Sequence, residues 1–115
     1  LGLAGLMTLA LFWGGAQPGA GSLFTPPLDG LVHVVYFALI GCCCFLGLPN
    51  LKPWAVVLLV IAIGAADEIH QATLPERNAS TLDFAMDVAG ALCALACYSM
   101  LARSRDAPRA HQNAD

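Results

Sequence analysis

A chain of 115 residues has room for one domain, and its 58% apolar against 11% charged residues departs from the soluble norm of about 25% charged. With a mean hydropathy of +0.71, that excess means membrane. The net charge of −3 and the lack of a basic patch exclude a nucleic-acid partner, and five cysteines set inside apolar runs do not make a secreted disulfide framework.

Residues 1–15 are uncharged and make a first spanning helix of roughly 22 Å, short for a hydrocarbon core of about 30 Å. The chain opens on Leu1 rather than Met, so the natural N-terminus is expected to be missing. A signal peptide is the rival reading, with Ala16-Gln17-Pro18-Gly19-Ala20 as a small-residue cleavage site. No positive region precedes it, so a retained helix is favoured. Residues 17–28, rich in proline and glycine, read as a loop. Asp29 follows Pro26-Pro27, where a carboxylate suits a helix N-terminus, and a second span covers 29–48.

Pro49-Asn50-Leu51-Lys52-Pro53 is a tight turn, with Pro53 suited to the first turn of the next helix and Trp54 to a membrane interface. A third span covers 54–73 and a fourth 81–102. From Arg103 to Asp115 the chain is a polar tail with no core-forming pattern, expected to be disordered. The fold class is therefore all-α: an integral membrane bundle of four transmembrane helices, one domain over 1–102. Lys52, Arg103, Arg105 and Arg109 fall on one side of it and Arg77 on the other. The positive-inside rule puts the tail in the cytoplasm and the Arg77 turn outside.

That orientation brings polar groups from three helices to one depth near the outer face. Asp29 and His33 open the second span, Asp67, Glu68, His70 and Gln71 close the third, and Asp83 and Asp87 open the fourth. Ionisable groups at a membrane boundary cost roughly 2.5–3.5 kcal/mol each on insertion scales, so the cluster is a candidate functional site. Asp67, His70 and Gln71 share a helix face at i, i+3 and i+4. Asp83 and Asp87 are one turn apart, and Gly90, Ala94 and Cys97 continue their stripe with small residues that admit a neighbouring backbone.

Each group also has a structural reading. Ser80-Thr81-Leu82-Asp83 fits a capping box, His33 fits an interfacial histidine hydrogen-bonded to Asp29, and Arg77 fits either a headgroup anchor or, the favoured reading, a cation that neutralises the carboxylates around it. Asp67 and Glu68 oppose the negative end of their own helix dipole, so something else must hold them. No HExxH or comparable spacing is present, so no metal is assigned, and any cofactor is unknown. The inner half is dry, which argues against transport. The cysteines read as small core fillers.

These residues resemble the VanZ-like family of bacterial membrane proteins. The family pattern has Asp-x-x-x-His followed by aromatics, then Asp-Glu-x-x-Gln, a Pro-x-Arg turn, and an Asp followed by Asn and Gly. Here those are Asp29 and His33 with Tyr36-Phe37; Asp67, Glu68 and Gln71; Pro75 and Arg77; and Asp83, Asp87 and Gly90, over about 26–103. Gly30 stands where a Lys is common, Asp87 replaces the usual Asn, and His70 falls on a variable position. The resemblance implies a bacterial cytoplasmic membrane protein linked to the cell envelope and to resistance to glycopeptides, teicoplanin in particular. It does not imply a settled activity.

Three expectations follow for the site. As a binding module, Asp29, Gln71, Arg77, Asp83 and Asp87 would hold a membrane lipid or lipid-linked envelope component, with Arg77 on a phosphate and the carboxylates on amines or a cation. As an enzyme, Asp67 or Glu68 would act as acid or base with His33 as partner. As a scaffold or assembly subunit, the cluster would only lock helices together.

Overall fold

A computed structural model describes the backbone of residues 1–112 and the side chains of residues 1–107. Among the described residues it contains α1 (Gly2–Gly15), a single 3-10 turn (Ala20–Ser22), α2 (Leu28–Gly47), α3 (Pro53–Ala72) and α4 (Thr81–Gln112), with no strand. The helix starts follow local chemistry. Asp29 lies in the first turn of α2, where the dipole favours a carboxylate. Pro53 opens α3 after an extended Lys52, its missing N–H falling where no intrahelical acceptor exists.

Three helices are long and apolar enough to cross a membrane: Leu28–Gly47, Pro53–Ala72 and Thr81–Ala107. The expected fourth span is corrected. α1 has 14 residues, about 21 Å of helix, and falls short of the hydrocarbon thickness. It starts beside the C-terminal end of α2, since a Cβ on Gly47 would come 2.5 Å from the Leu1 nitrogen. It is tied to α2 again where the Tyr36 hydroxyl donates to the Met7 carbonyl at 2.8 Å. Residues 16–27 therefore fill the remaining height at the opposite end of the bundle.

The end expected for the last helix is corrected too. α4 does not stop at Ala102 but continues through Arg103, Arg105 and Asp106. Alanine and arginine are strong helix formers, and extending an existing helix needs no new nucleus. Residues 113–115 of the expected tail lie outside the described residues.

The bundle's exterior is apolar: Leu31, Val35, Leu39 and Leu46 on α2 and Leu58, Ile69, Leu92 and Met100 on α3 and α4 are all exposed. The interior splits into two levels. Away from the polar cluster, Phe37, Ile40, Cys44, Val56, Val60, Ala91 and Ala94 form a buried core. There α2 and α4 approach closely: a Cβ on Gly41 would sit 2.5 Å from the Ala94 Cβ, and one on Gly90 would sit 2.5 Å from the Val34 carbonyl oxygen. Gly90 and Ala94 thus make the expected small-residue seam, but Cys97 is exposed and lies off it. The five cysteines are free, with only Cys44 fully buried.

Candidate functional site

Asp87 lies one turn beyond Asp83 on α4 and is 0% exposed. Its Oδ1 accepts a hydrogen bond from His33 Nδ1 at 2.7 Å, joining α4 to α2. This is the one ion-pair contact among the described residues, and it replaces the expected His33–Asp29 pairing. Gly64 on α3 makes room for the carboxylate, since a Cβ there would come 3.0 Å from Asp87 Cβ and 3.1 Å from Oδ2. With Nδ1 committed to Asp87, the opposite ring nitrogen of His33 is the one left for another partner.

On α3, Gln71 Nε2 donates to Asp67 Oδ2 at 2.7 Å, both side chains being buried at one-turn spacing. Glu68 points elsewhere, and its Oε2 accepts the backbone N–H of Ser80 at 2.7 Å. Ser80 Oγ in turn accepts the Asp83 N–H at 3.2 Å. A capping box needs an acceptor for the N–H of its first residue, and in a self-contained box the fourth residue supplies it. Here Glu68 from the preceding helix takes that place, which leaves the Asp83 carboxylate out of the cap. The same bond is what holds Glu68 against its own helix dipole.

Asp67 Oδ1, Glu68 Oε1 and Asp87 Oδ2 are buried and accept no hydrogen bond within the described residues. Each carboxylate is therefore held by one oxygen only, a costly arrangement in a low-dielectric interior. His70 turns away from Asp67 and Gln71 to lie near Phe12 of α1, ring centroids 5.2 Å apart.

A cavity of about 350 Å³ opens at this end of the bundle. Asp29, His33, Gln71, Arg77, Asn78 and Asp83 line it, with Leu23 and Phe24 of the α1–α2 connection forming an apolar wall. Arg77 lies across that connection: a Cβ on Gly21 would come 3.2 Å from its Cδ. Glu76, in a left-handed conformation at φ 61°, also lines the cavity, and residues 15–22 and 74–77 line a neighbouring cavity of about 560 Å³.

Of the residues singled out in the sequence, the cavity gathers Asp29, His33, Gln71, Arg77 and Asp83. Asp87 and Asp67 stand behind it, holding His33 and Gln71 in place. Glu68 does not line it; it borders a shallow recess of about 320 Å³ beside Ser80 and Phe84. His33 bonds Asp87 through Nδ1 rather than Asp67 or Glu68. Arg77 has no carboxylate within 4.0 Å among the described residues, so it neutralises none of them by direct contact. No group of three or more His, Cys, Asp or Glu side chains is placed to hold a metal among the described residues. The sequence reading missed Glu76, Asn78 and the 20–24 wall. The first two flank Arg77 in its turn, whereas nothing in the sequence of the wall signals a lining role.

Long apolar helices that carry a charged, partly buried cavity at one end are the build of a helical-bundle membrane protein. The chain belongs to the VanZ/LLP1 family, whose model matches residues 5–102, as the motif resemblance implied. No curated protein and no solved structure matches it.

Proposed function

We propose that this VanZ/LLP1 protein lies in a bacterial cytoplasmic membrane with the end of α4 in the cytoplasm, and that its cavity binds the polar headgroup of a cell-envelope lipid or lipid-linked component at the outer face. One observation carries the reading. α2, α3, α4, the α3–α4 turn and the α1–α2 connection all bring lining groups to a single cavity at one end of membrane-length helices. Convergent polar groups in a concave, partly apolar site are the ordinary form of a ligand pocket. A role in resistance to teicoplanin-type glycopeptides belongs to the same reading, through a change in an envelope component that the protein holds.

The test is co-purification. The full chain is isolated in a mild detergent and the lipids that travel with it are compared with the bulk membrane. Enrichment of one lipid class, lost in Arg77→Gln at equal protein yield, is the expected result. A co-purified lipid profile identical to the bulk would overturn the reading. A reporter fused after Arg105 is expected to stay cytoplasmic, and one in the Arg77 turn to be exported.

A second reading is favoured by the hydrogen bonds themselves. His33–Asp87 and Glu68–Ser80 each join two different elements, as a helix lock in an assembly subunit would. Under that reading, neutral isosteres of the carboxylates disturb assembly rather than lipid retention.

A further inference from the structure

The charges that line the cavity do not balance. Asp29, Glu76 and Asp83 face one guanidinium, Arg77, which forms no ion pair among the described residues. His33 is already held by Asp87. Asp83 is free for a ligand because Glu68 has taken the acceptor's place in its cap. Gln71 is 4% exposed and spends its amide N–H on Asp67, so its carbonyl oxygen is a buried-residue acceptor on the cavity wall with no partner among the described residues.

A purely anionic headgroup would meet several carboxylates for one guanidinium. A purely cationic one would leave Arg77 facing it. Only a ligand that carries both signs satisfies the two halves of the lining together. We infer, resting on the headgroup-binding reading above, that the ligand is a membrane lipid whose headgroup joins one phosphate to one primary ammonium. The phosphate belongs at Arg77 and the Asn78 amide, and the ammonium among Asp29, Asp83 and the Gln71 carbonyl oxygen. A primary ammonium carries three N–H donors for those acceptors, whereas a quaternary one carries none. A lipid rather than a soluble ester is indicated because Leu23 and Phe24 wall the cavity, and exposed Leu28 and Leu31 on α2 adjoin Asp29 and Val32 of its lining.

The experiment is native mass spectrometry of the full chain in a neutral detergent, offered equal amounts of short-chain phosphatidylethanolamine, phosphatidylglycerol and phosphatidylcholine. The ethanolamine adduct is expected to exceed each of the others by about tenfold, roughly the size of one charge-assisted hydrogen bond. Asp83→Asn, and independently Asp29→Asn, should erase that preference in protein whose helix content and melting are unchanged. Arg77→Gln should lower all three adducts. Adducts that need Arg77 but show no ethanolamine preference would overturn this inference and leave the headgroup-binding reading standing. Adducts indifferent to Arg77 would overturn both. Soluble phosphoethanolamine that displaces the lipid at equal concentration would overturn the assignment to a lipid.

Discussion

The two levels of the α2–α4 interface solve the same packing problem in opposite ways. At the core level Gly41, Gly90 and Ala94 bring the helices together by having almost no side chain, and the contact is all van der Waals. One level away, the same two helices are joined by His33 and Asp87, a hydrogen-bonded pair with one oxygen still unpartnered. In lipid no hydrophobic drive pulls helices together, so close steric fit is the stabilising device. Buried charge is not a substitute for it, since desolvation offsets much of the attraction. The polar level is thus the less stable of the two solutions.

The steric level should break hardest. In Gly90→Val the new Cβ falls 2.5 Å from the Val34 carbonyl oxygen, 2.8 Å from Phe37 Cβ and 2.9 Å from the Ala38 nitrogen. None of those atoms is the end of a flexible side chain, so the helices must part. The expected cost exceeds the about 1–3 kcal/mol of ordinary overpacking, seen as loss of folded protein from the membrane. Gly41→Ala clashes with the Ala94 Cβ alone, Val60 Cγ2 being in ordinary contact at 3.9 Å, and Ala94→Gly in the same chain should recover most of its melting temperature. A Gly41→Ala protein that melts normally by itself would mean the seam is looser than described.

The His33–Asp87 pair comes next. Asp87→Leu strands His33 beside an apolar group and should cost about 3–5 kcal/mol, as removal of one buried partner does. Asp87→Asn keeps an acceptor for Nδ1 and should cost no more than about 1 kcal/mol, measured by unfolding in detergent. Equal losses in the two variants would show that charge, not the hydrogen bond, holds this level together.

A smaller effect separates the two carboxylates of α3. Asp67→Asn and Glu68→Gln each retain the acceptor in use and relieve a buried, half-satisfied charge, so both should melt at an equal or higher temperature. They should differ in lipid retention. Asp67 positions Gln71 on the cavity wall, and because a neutral amide oxygen accepts more weakly than a carboxylate, Asp67→Asn should loosen Gln71 and weaken retention; Glu68 lies off the cavity and Glu68→Gln should not. Retention lost equally in both would place the ligand deeper than the cavity.

Much of this was legible from residue order. The helix starts at Asp29 and Pro53, the turn around Arg77 and the gathering of Asp29, His33, Gln71 and Asp83 at one end follow from apolar run lengths and punctuation by proline, glycine and charge. Pairing was not legible. Asp29 is one turn from His33 and was the natural partner by spacing, but the partner found is Asp87, 54 residues away, because Gly64 opens the space it occupies. The shortness of α1 was visible as a length, yet an uncharged run of that size is compatible with either a span or a partial one. Which of those it becomes depends on the loop that completes its height.

The smallest effect concerns the start of α4. If Glu68 replaces the fourth residue of the capping box, then Glu68→Ala leaves the Ser80 N–H without an acceptor and should cost about 1 kcal/mol, the usual value of a lost helix cap. Asp83→Glu gives the fourth residue the longer carboxylate that reaches back in a self-contained box. In the wild-type background that exchange has nothing to repair and should be near neutral. In the Glu68→Ala background it should recover about half or more of the loss, so the two substitutions are coupled rather than additive. The same exchange draws the carboxylate at position 83 out of the cavity and into the cap. Lipid retention should therefore fall in the double variant while stability rises, in two readouts from one protein. Asp83→Glu that stabilises both backgrounds alike would show that Glu68 is not the cap, and the carboxylate of Asp83 would then have no reason to face the cavity.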